Sequence, residues 1–321
     1  MRAIRYDRYG GPDRLRLVEL AVPRPGAGEV LVRVRASSVN SWDWDLLRGR
    51  PWFVRLQGPT RPAHPVLGAD VAGEVVALGT GTTAFRVGDA VWGDLSGAGW
   101  GGFAEFVAAD ATALRHRPAA LGPVVAAAIP QAGGLAWQAL VDVGAVRAGE
   151  RVLVVGAGGG AGTIAVALAL HLGAEVVAVD RAGKLELLRA IGATRVVDAD
   201  DPAADPFADA AGFDLIVDLV ASRPLAAYRR ALRPGGRLVV VGGSTRTIAA
   251  VAASGRRPDA AGRTLHLLAA EANGGLDELG ALVASGAVTP VIDEVLPLER
   301  VAEGLARIGA GTVTGKLVVV P

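Results

Sequence analysis

The stretch RVLVVGAGGGAG at residues 151–162 decides the fold of this chain. Its apolar run, Val152–Val155, fits a strand that is buried on both faces, and it leads into a turn that contains five glycines. Helix-forming sequence follows at once, from Thr163 to Leu172, and Gly173 stands where a C-terminal cap is expected. The stretch therefore predicts a strand, a glycine turn and a helix in direct succession.

The sequence after this helix completes a nucleotide-binding pattern. A second strand, Glu175–Val179, leads to Asp180, which is 18 residues past Gly162. Small residues let a turn lie close to a pyrophosphate, and the N-terminus of the helix supplies free N–H donors and a positive dipole end. Strand, turn, helix, strand and terminal carboxylate together predict a dinucleotide site.

The same alternation of strands and helices continues along the chain. Further strands are predicted at 194–198, 214–220, 237–242 and 264–269, and helices at 183–191 and 225–232. The helix at 225–232 is predicted to stop at the turn Arg233–Gly236, and the segment 244–264, rich in Ser, Thr, Arg and Gly, is predicted to be a loop. Six strands that alternate with helices predict a doubly wound parallel sheet.

The segments that flank this region have a different pattern. The first 120 residues contain short strand candidates separated by Gly/Pro turns, and in Glu29–Arg35 the valines alternate with other residues. This pattern predicts a β-barrel or a sandwich. The C-terminal segment offers two helices and a last strand, Lys316–Val320. Because a terminal strand often completes a sheet begun near the N-terminus, we expect both ends of the chain to share one domain.

Composition narrows the class of protein. The chain has 321 residues, of which 51% are hydrophobic and 5% aromatic, and it contains no cysteine. Its 33 basic and 32 acidic residues are interspersed, so we expect no nucleic acid partner. The longest apolar helix candidate is too short for the roughly 20 residues that cross a bilayer, and the first residues lack the apolar core of a signal peptide. We therefore expect no membrane association and a cytoplasmic location.

Four motifs carry a resemblance to a known family. They are VRASSVNSWD at 34–43, PVLGADVAG at 65–73 running on to VGD at 87–89, VVGAGGGAG at 154–162, and TGKLV at 314–318. With these motifs the chain resembles the zinc-free, quinone oxidoreductase-like branch of the medium-chain dehydrogenase/reductase superfamily.

The resemblance implies an α/β protein with two domains. A GroES-like β-barrel, residues 1–122 completed by 266–321, would hold the substrate. A Rossmann domain with a doubly wound parallel sheet, residues 123–265, would hold NADPH or NADH, with a cleft between the two domains. It also implies a homodimer that joins its Rossmann sheets edge to edge.

A zinc site is not expected. In the zinc-dependent branch a Cys stands at the position of Asn40 and a His at that of Ala69. This chain has no cysteine, and its four histidines, at 64, 116, 171 and 266, are widely spaced. Tetrahedral zinc needs three or four converging N, S or O ligands, so we predict no metal.

The resemblance points to three catalytic candidates on the substrate side: Asn40, Asp43 and Asp45. Asn40 is either a cleft residue or a turn amide, and a structural role for Asp43 is as reasonable as a catalytic one. Asp45 stands where many relatives have a tyrosine, and it is either a proton donor or a solvated carboxylate. Three tryptophans nearby either line the pocket of a flat acceptor or pack in the core: Trp42, Trp44 and Trp52.

The candidates on the cofactor side come from three of the motifs and strand ends. The phosphate turn comprises Ala157, Gly158, Gly159, Gly160, Ala161 and Gly162. Gly242 and Gly243 follow a strand at the position where the family passes near the nicotinamide, and we also assign Lys316 of the closing motif to the cofactor.

The choice between NADH and NADPH stays open. Asp180 at a strand end suits two ribose hydroxyls and repels a 2′-phosphate. Arg181 and Lys184 favour the phosphate, and Lys184 matches a lysine that NADPH-specific relatives use. Those relatives also use a tyrosine where this chain has Ala199.

The leading hypothesis is a zinc-independent NAD(P)H oxidoreductase. It would transfer hydride to a small electrophilic acceptor, either a quinone or an α,β-unsaturated carbonyl, because these accept hydride without a Lewis acid. Two alternatives remain open: metal-free alcohol or ketone redox chemistry, and a nucleotide-binding protein with little turnover. Leu135, at a position that is usually threonine in the family, favours the last of these.

Overall fold

The computed structural model describes residues 1–254 and 257–321, so positions 255 and 256 of the predicted loop lie outside the described residues. The strands are β1 (Arg2–Arg5), β2 (Arg16–Glu19), β3 (Glu29–Val39), β4 (Asp70–Leu78), β5 (Ala90–Asp94), β6 (Phe106–Asp110), β7 (Arg115–His116), β8 (Arg151–Val155), β9 (Glu175–Asp180), β10 (Arg195–Asp198), β11 (Phe213–Asp218), β12 (Leu232–Val240), β13 (Thr264–Leu267), β14 (Ile292–Pro297) and β15 (Lys316–Val320). The α-helices are α1 (Ser41–Arg48), α2 (Pro123–Ala127), α3 (Pro130–Trp137), α4 (Gly160–His171), α5 (Leu185–Ile191), α6 (Leu225–Ala231), α7 (Thr245–Ser254), α8 (Leu276–Ala284) and α9 (Val301–Ala310).

The chain divides into two compact units. The first comprises Met1–Ala132, Leu276–Ser285 and Ile292–Pro321, and the second comprises Gly133–Gly275 and Gly286–Val291. The first unit therefore extends past the predicted boundary at 122. The predicted boundary at 265/266 cuts through β13, whose His266 and Leu267 pair with β12.

The first unit is built on a mostly antiparallel sheet in the order β14-β15-β3-β4-β5-β7, and β6 also pairs with β3. The last strand of the chain, β15, runs antiparallel to the end of β3 and parallel to β14. Both ends of the chain therefore belong to this unit. Its core joins α1, α9 and β15 through side chains that include Leu47, Leu305 and Leu317, all fully buried.

The second unit contains a six-stranded parallel sheet in the order β10-β9-β8-β11-β12-β13. The chain starts in the middle of this sheet at β8, winds outward to β10, then returns to β11 and winds the other way, which is the doubly wound order of a dinucleotide-binding fold. The apolar runs of β8 and β9 are buried, as expected for parallel strands covered on both faces.

Two details of the second unit differ from the predictions. The Arg233–Gly236 segment, predicted as a turn, lies within β12, where the register against β11 shifts between Phe213 and Leu215. The predicted loop at 244–264 contains helix α7, because Thr247 and Val251 bury one face of it. The sequence of α7, rich in Ser, Thr and Ala, forms a helix here because this face packs against the core of the second unit.

No helix of the described residues is both long enough and apolar enough to cross a membrane.

Candidate active site

Three neighbouring strands of the first unit bring one amide and two charges together. Asn40 follows the end of β3, Asp70 begins β4 and Lys316 begins β15. Asp70 is opposite Ser38 in the β3–β4 ladder, and Leu317 is opposite Val39 in the β15–β3 ladder. The register therefore places Lys316 on one side of Asn40 and Asp70 on the other.

These side chains form a buried hydrogen-bond network. Lys316 Nζ donates to Asn40 Oδ1 at 2.5 Å and lies 3.3 Å from Asp70 Oδ2. Asn40 Nδ2 donates to Asp70 Oδ2 at 2.9 Å. Asp70 also accepts from Ser38 Oγ at 2.5 Å and, through Oδ1, from the backbone N–H of Gln131 at 2.8 Å. The network holds a carboxylate and an ammonium that are 0% and 2% exposed, so each charge depends on its protein partners.

Asp43 holds the backbone around Asn40. Asn40 is the N-cap of α1, and its backbone N–H donates to Asp43 Oδ2 at 2.8 Å, one half of a capping box. The other carboxylate oxygen, Oδ1, accepts from the backbone N–H of Gly68 at 2.9 Å. Asp43 is completely buried and joins the start of α1 to the loop before β4. This geometry favours the structural role for Asp43 that the sequence left open.

Burial raises the pKa values of two acids in this region, Asp43 and Asp94. Burial raises the pKa of Asp43 to about 7, although the N–H groups of Gly68 and Asn40 act in the opposite direction. Burial, reinforced by the charge of Asp70, raises the pKa of Asp94 to about 6. Asp94 is directly opposite Asp70 in the β4–β5 ladder, and its Oδ1 accepts from Ser96 N.

Asp45 differs from the other two predicted catalytic residues. It lies on α1 and is half-buried, and burial raises its pKa to about 6 against the opposing charge of Arg48. Its side chain takes no part in the hydrogen bonds described for Asn40 and Asp43. The structure thus brings Asn40 and Asp43 together and leaves Asp45 outside their network.

The three nearby tryptophans do not form one cluster. Trp44 packs toward the core of the first unit, its ring so close to Gly309 that a Cβ there would lie 2.3 Å away. Trp42 and Trp52 are 47% and 69% exposed. Trp44 therefore packs in the core. Only Trp42 and Trp52 are exposed enough to act at a surface.

The predicted phosphate turn in the second unit is tightly built. It runs from the end of β8 to the start of α4, whose N-cap is Gly159. A Cβ on Gly162 would lie 2.2 Å from the carbonyl oxygen of Gly156, so only glycine fits there. The N–H groups of the first helical turn have no partner within the helix, which leaves them for an anion. Ala157, by contrast, is fully buried and anchors the turn.

Asp180 is fixed against this turn. Its Oδ2 accepts from the backbone N–H of Gly158 at 2.7 Å, and its Oδ1 accepts from that of Arg181 at 2.8 Å. Lys184 Nζ lies 3.7 Å from Oδ1, and a Cβ on Gly158 would lie 2.6 Å from the Lys184 side chain. The structure brings Gly158, Asp180 and Lys184 into contact. Asp180, which favours NADH, and Lys184, which favours NADPH, therefore form one pair.

Gly242 and Gly243 lie at the same edge of the sheet as the turn. They follow β12, and Gly243 bridges to Ala221, just past the end of β11, with a φ of +133° that favours glycine. A Cβ on Gly156 would lie 3.3 Å from the Cβ of Leu219, so the segment after β11 contacts the turn. Ligands of open α/β sheets bind at this carboxyl edge of the strands.

Lys316, which the sequence analysis assigned to the cofactor, lies in the first unit and is buried against Asn40. Sequence reasoning also missed Asp70 and Ser38, although both lie in the quoted motifs. The sequence signal for Asp70 is an acidic residue at the start of a strand. The residues that follow it, VAGEVVAL, are almost all apolar.

Comparison with known proteins identifies the family of the chain. The family model described as "Alcohol dehydrogenase GroES-like domain" matches residues 26–119, and the one described as "Zinc-binding dehydrogenase" matches residues 191–319. The chain is 32% identical to the "Chloroplast envelope quinone oxidoreductase homolog" of Arabidopsis thaliana, with 100% of this chain and 98% of the relative covered. It is 30% identical to the "2-methylene-furan-3-one reductase" of Solanum lycopersicum, covering 100% of this chain and 79% of the relative.

A solved structure agrees with these matches. The quinone oxidoreductase from Coxiella burnetii superimposes with a TM-score of 0.89 at 27% identity, covering 100% of this chain and 99% of the other. The chain therefore belongs to the medium-chain dehydrogenase/reductase superfamily, in its quinone oxidoreductase-like branch. It is an NAD(P)H-dependent oxidoreductase with a GroES-like domain and a Rossmann-like parallel sheet.

The residues present do not fit the zinc in the name of one family model. The sequence has no cysteine. Across residues 1–254 and 257–321, no three Asp, Glu or His side chains converge in a group that could hold a metal ion. Asn40 offers an amide already bonded to a cation and a carboxylate, not the anionic or imidazole donors that zinc prefers.

Proposed function

We propose that this protein reduces a quinone or an α,β-unsaturated carbonyl with NAD(P)H, and that no metal takes part. The observation that carries the proposal is the donor set around Asn40: an amide, a buried carboxylate and a buried ammonium, with no set of metal ligands. Hydride addition to an isolated ketone leaves a localised alkoxide, which zinc enzymes stabilise by Lewis acid catalysis. Addition to a quinone or an enone leaves a delocalised anion that needs no such help. The printed names of the two relatives, a quinone oxidoreductase homolog and a methylene-furanone reductase, support this choice of acceptor.

The second unit binds the nucleotide in this proposal. The residues that would hold it are the phosphate turn from Ala157 to Gly162, Asp180 with Arg181 and Lys184 at the ribose, and Gly242 with Gly243. When bound, NAD(P)H supplies the hydride. The tight fit of Gly162 against Gly156 supports the assignment, because it keeps the turn compact and directs the first N–H groups of α4 toward an anion.

The first unit holds the acceptor and supplies the proton. Asn40 would position the acceptor or the nucleotide beside it, and Asp43 would support Asn40 through the backbone. Asp45 is the candidate proton donor: its pKa of about 6 keeps a fraction of the carboxyl groups protonated near neutral pH, and it is half-exposed rather than sealed in the core. One hydride and one proton convert a quinone to a hydroquinone, or an enone to a saturated ketone.

The test uses a matched pair of acceptors. 2-Cyclohexen-1-one and cyclohexanone differ only by the conjugated double bond, and 1,4-benzoquinone represents the quinones. We expect oxidation of NADH or NADPH, followed at 340 nm, with the enone or the quinone and none with cyclohexanone. Reduction of cyclohexanone at a similar rate would favour metal-free ketone chemistry. Nucleotide binding without turnover on a broad panel of quinones and enones would overturn the proposal in favour of a non-catalytic protein.

The setting of the enzyme is part of the proposal. We propose a cytoplasmic enzyme, because the reduced nucleotide on which it depends is an intracellular metabolite. We also propose a homodimer: β13 ends the order of the second unit's sheet, and such an edge can pair with its counterpart in another copy. Light scattering coupled to size exclusion tests the dimer, and a single monomeric species at micromolar concentration would refute it.

A further inference from the structure

Asn40 carries more internal hydrogen bonds than a side chain kept free for a ligand would need. Its Nδ2 donates to Asp70 Oδ2 at 2.9 Å and to the carbonyl oxygen of Ser38 at 3.4 Å. Both N–H donors of the amide are therefore used within the protein. Its Oδ1 accepts from Lys316 Nζ, and because an amide oxygen has two lone pairs, one acceptor position of Oδ1 is left for a ligand.

The chemistry of the two neighbours fixes which way the amide points. An ammonium has donors only, and an ionised carboxylate has acceptors only. Lys316 on one side can meet only Oδ1, and Asp70 on the other can meet only Nδ2. A flip of the amide would set Nδ2 against the ammonium and Oδ1 against the carboxylate, so both contacts would become repulsive. The pair thus selects a single orientation of Asn40.

A buried ion pair such as Lys316 and Asp70 contributes little net stability to a fold. Taking two charges out of water costs more than their mutual attraction returns in many proteins, and apolar residues of similar volume are often at least as stabilising. Lys316 and Asp70 are 2% and 0% exposed, and the residues of β15 that follow Lys316 are all apolar. A role in orienting the Asn40 side chain therefore explains the two buried charges better than a role in stability does.

We propose that Lys316 and Asp70 are positioning residues that lock the side chain of Asn40 for hydride transfer. The inference rests on the proposed function, since it assigns Asn40 to the reacting site. The two residues contact the Asn40 amide from opposite sides, and Asp43 fixes the backbone N–H of the same residue. Lys316 and Asp70 themselves need touch neither nucleotide nor acceptor.

The test is a double-mutant cycle with a matched control. Lys316→Met removes the ammonium and keeps the length of the side chain. Arg307→Met removes a cation from the same unit, where Arg307 bridges Asp293 and Glu294, each at 2.7 Å, without contact to Asn40. We expect K316M to lower kcat about tenfold and R307M to change it less than about twofold, with thermal unfolding measured on both. In the Asn40→Ala background, K316M should lower kcat by less than about twofold, because the residue it positions is gone.

Two further results keep the proposal open to refutation. If K316M does not fold, the double variant K316M/D70N removes both buried charges together and leaves neither unpaired. Its neutron crystal structure, which distinguishes the amide nitrogen from the amide oxygen, should show the Asn40 side chain in both orientations, whatever the activity. A single unchanged orientation would overturn the proposal, and so would equal losses of kcat from K316M and R307M. Absence of turnover in the wild-type enzyme would instead refute the proposed function, and the crystal structure would still decide the question of positioning.

Discussion

Replacing Gly162 by alanine tests the phosphate turn directly. Residue 162 lies in the first turn of α4, where alanine is favoured over glycine by about 1 kcal/mol. The added Cβ would nevertheless lie 2.2 Å from the carbonyl oxygen of Gly156 and 2.6 Å from that of Ala157. Both are backbone atoms that cannot rotate away, so the turn has to move by about 1 Å to restore ordinary contact distances.

The size of the effect follows from these two opposed contributions. Overpacking of this kind costs about 1–3 kcal/mol, which is at least as large as the gain in helix propensity. We expect a net loss of up to about 2 kcal/mol, or a fall in Tm of up to about 8 °C for a unit of this size. The displaced N–H groups lose charge-assisted hydrogen bonds to the pyrophosphate worth about 1.5–3 kcal/mol, so Kd should rise about 10- to 100-fold.

The assay measures unfolding and binding on the same samples. Gly183→Ala is the control, because a Cβ there would meet nothing within 4 Å. Differential scanning fluorimetry gives Tm, and isothermal titration with NADPH and NADH gives Kd. If G162A binds both nucleotides as tightly as G183A and unfolds at the same temperature, the glycine turn does not hold the pyrophosphate and the reasoning fails.

Three other perturbations have equally definite outcomes. Asp180→Asn keeps an acceptor for the N–H of Gly158 and removes the charge, so the ratio of kcat/KM for NADPH to that for NADH should rise at least about fivefold; an unchanged ratio would mean that Asp180 does not face the ribose. Burial raises the pKa of Asp218 to about 6, so its contribution to stability is present below about pH 4 and is lost as pH rises through 6. Asp218→Asn retains the contacts with Val220 and Tyr228, and urea unfolding should show the wild type losing about 2 kcal/mol relative to this variant between pH 4 and 7; parallel pH curves would contradict this. Dialysis against EDTA should leave the rate of enone or quinone reduction unchanged, and a loss of activity restored by Zn²⁺ would refute the metal-free mechanism.

The nucleotide-binding unit could be predicted because its signals are local. The strand, turn, helix and second strand lie within 30 residues, 151–180, and each constrains the next through contacts between near neighbours in the chain. Six parallel strands follow from the same alternation. Where local signals misled, a tertiary contact decided: the Pro-Gly-Gly sequence inside β12 is typical of a turn, yet pairing with β11 draws it into a strand.

For the catalytic candidates, too, some properties follow from the sequence and others only from the tertiary structure. Sequence pattern and family resemblance named Asn40, Asp43 and Asp45, but not which of them are buried or in contact. Burial alone separates the sealed carboxylate of Asp43 from the half-exposed one of Asp45, and burial depends on what packs against α1.

The sequence by itself determined the strand, glycine turn, helix and second strand of residues 151–180 and the carboxylate at the end of that second strand, because these depend on residues close together in the chain. Only the tertiary structure decided where Lys316 belongs. Its partners, Asn40 and Asp70, are 276 and 246 residues away along the chain, and only the pairing of β15 with β3 and of β3 with β4 brings them together. The physical reason is that a buried charge is stable only beside its partner, and distance along the chain carries no information about which partner a sheet will supply.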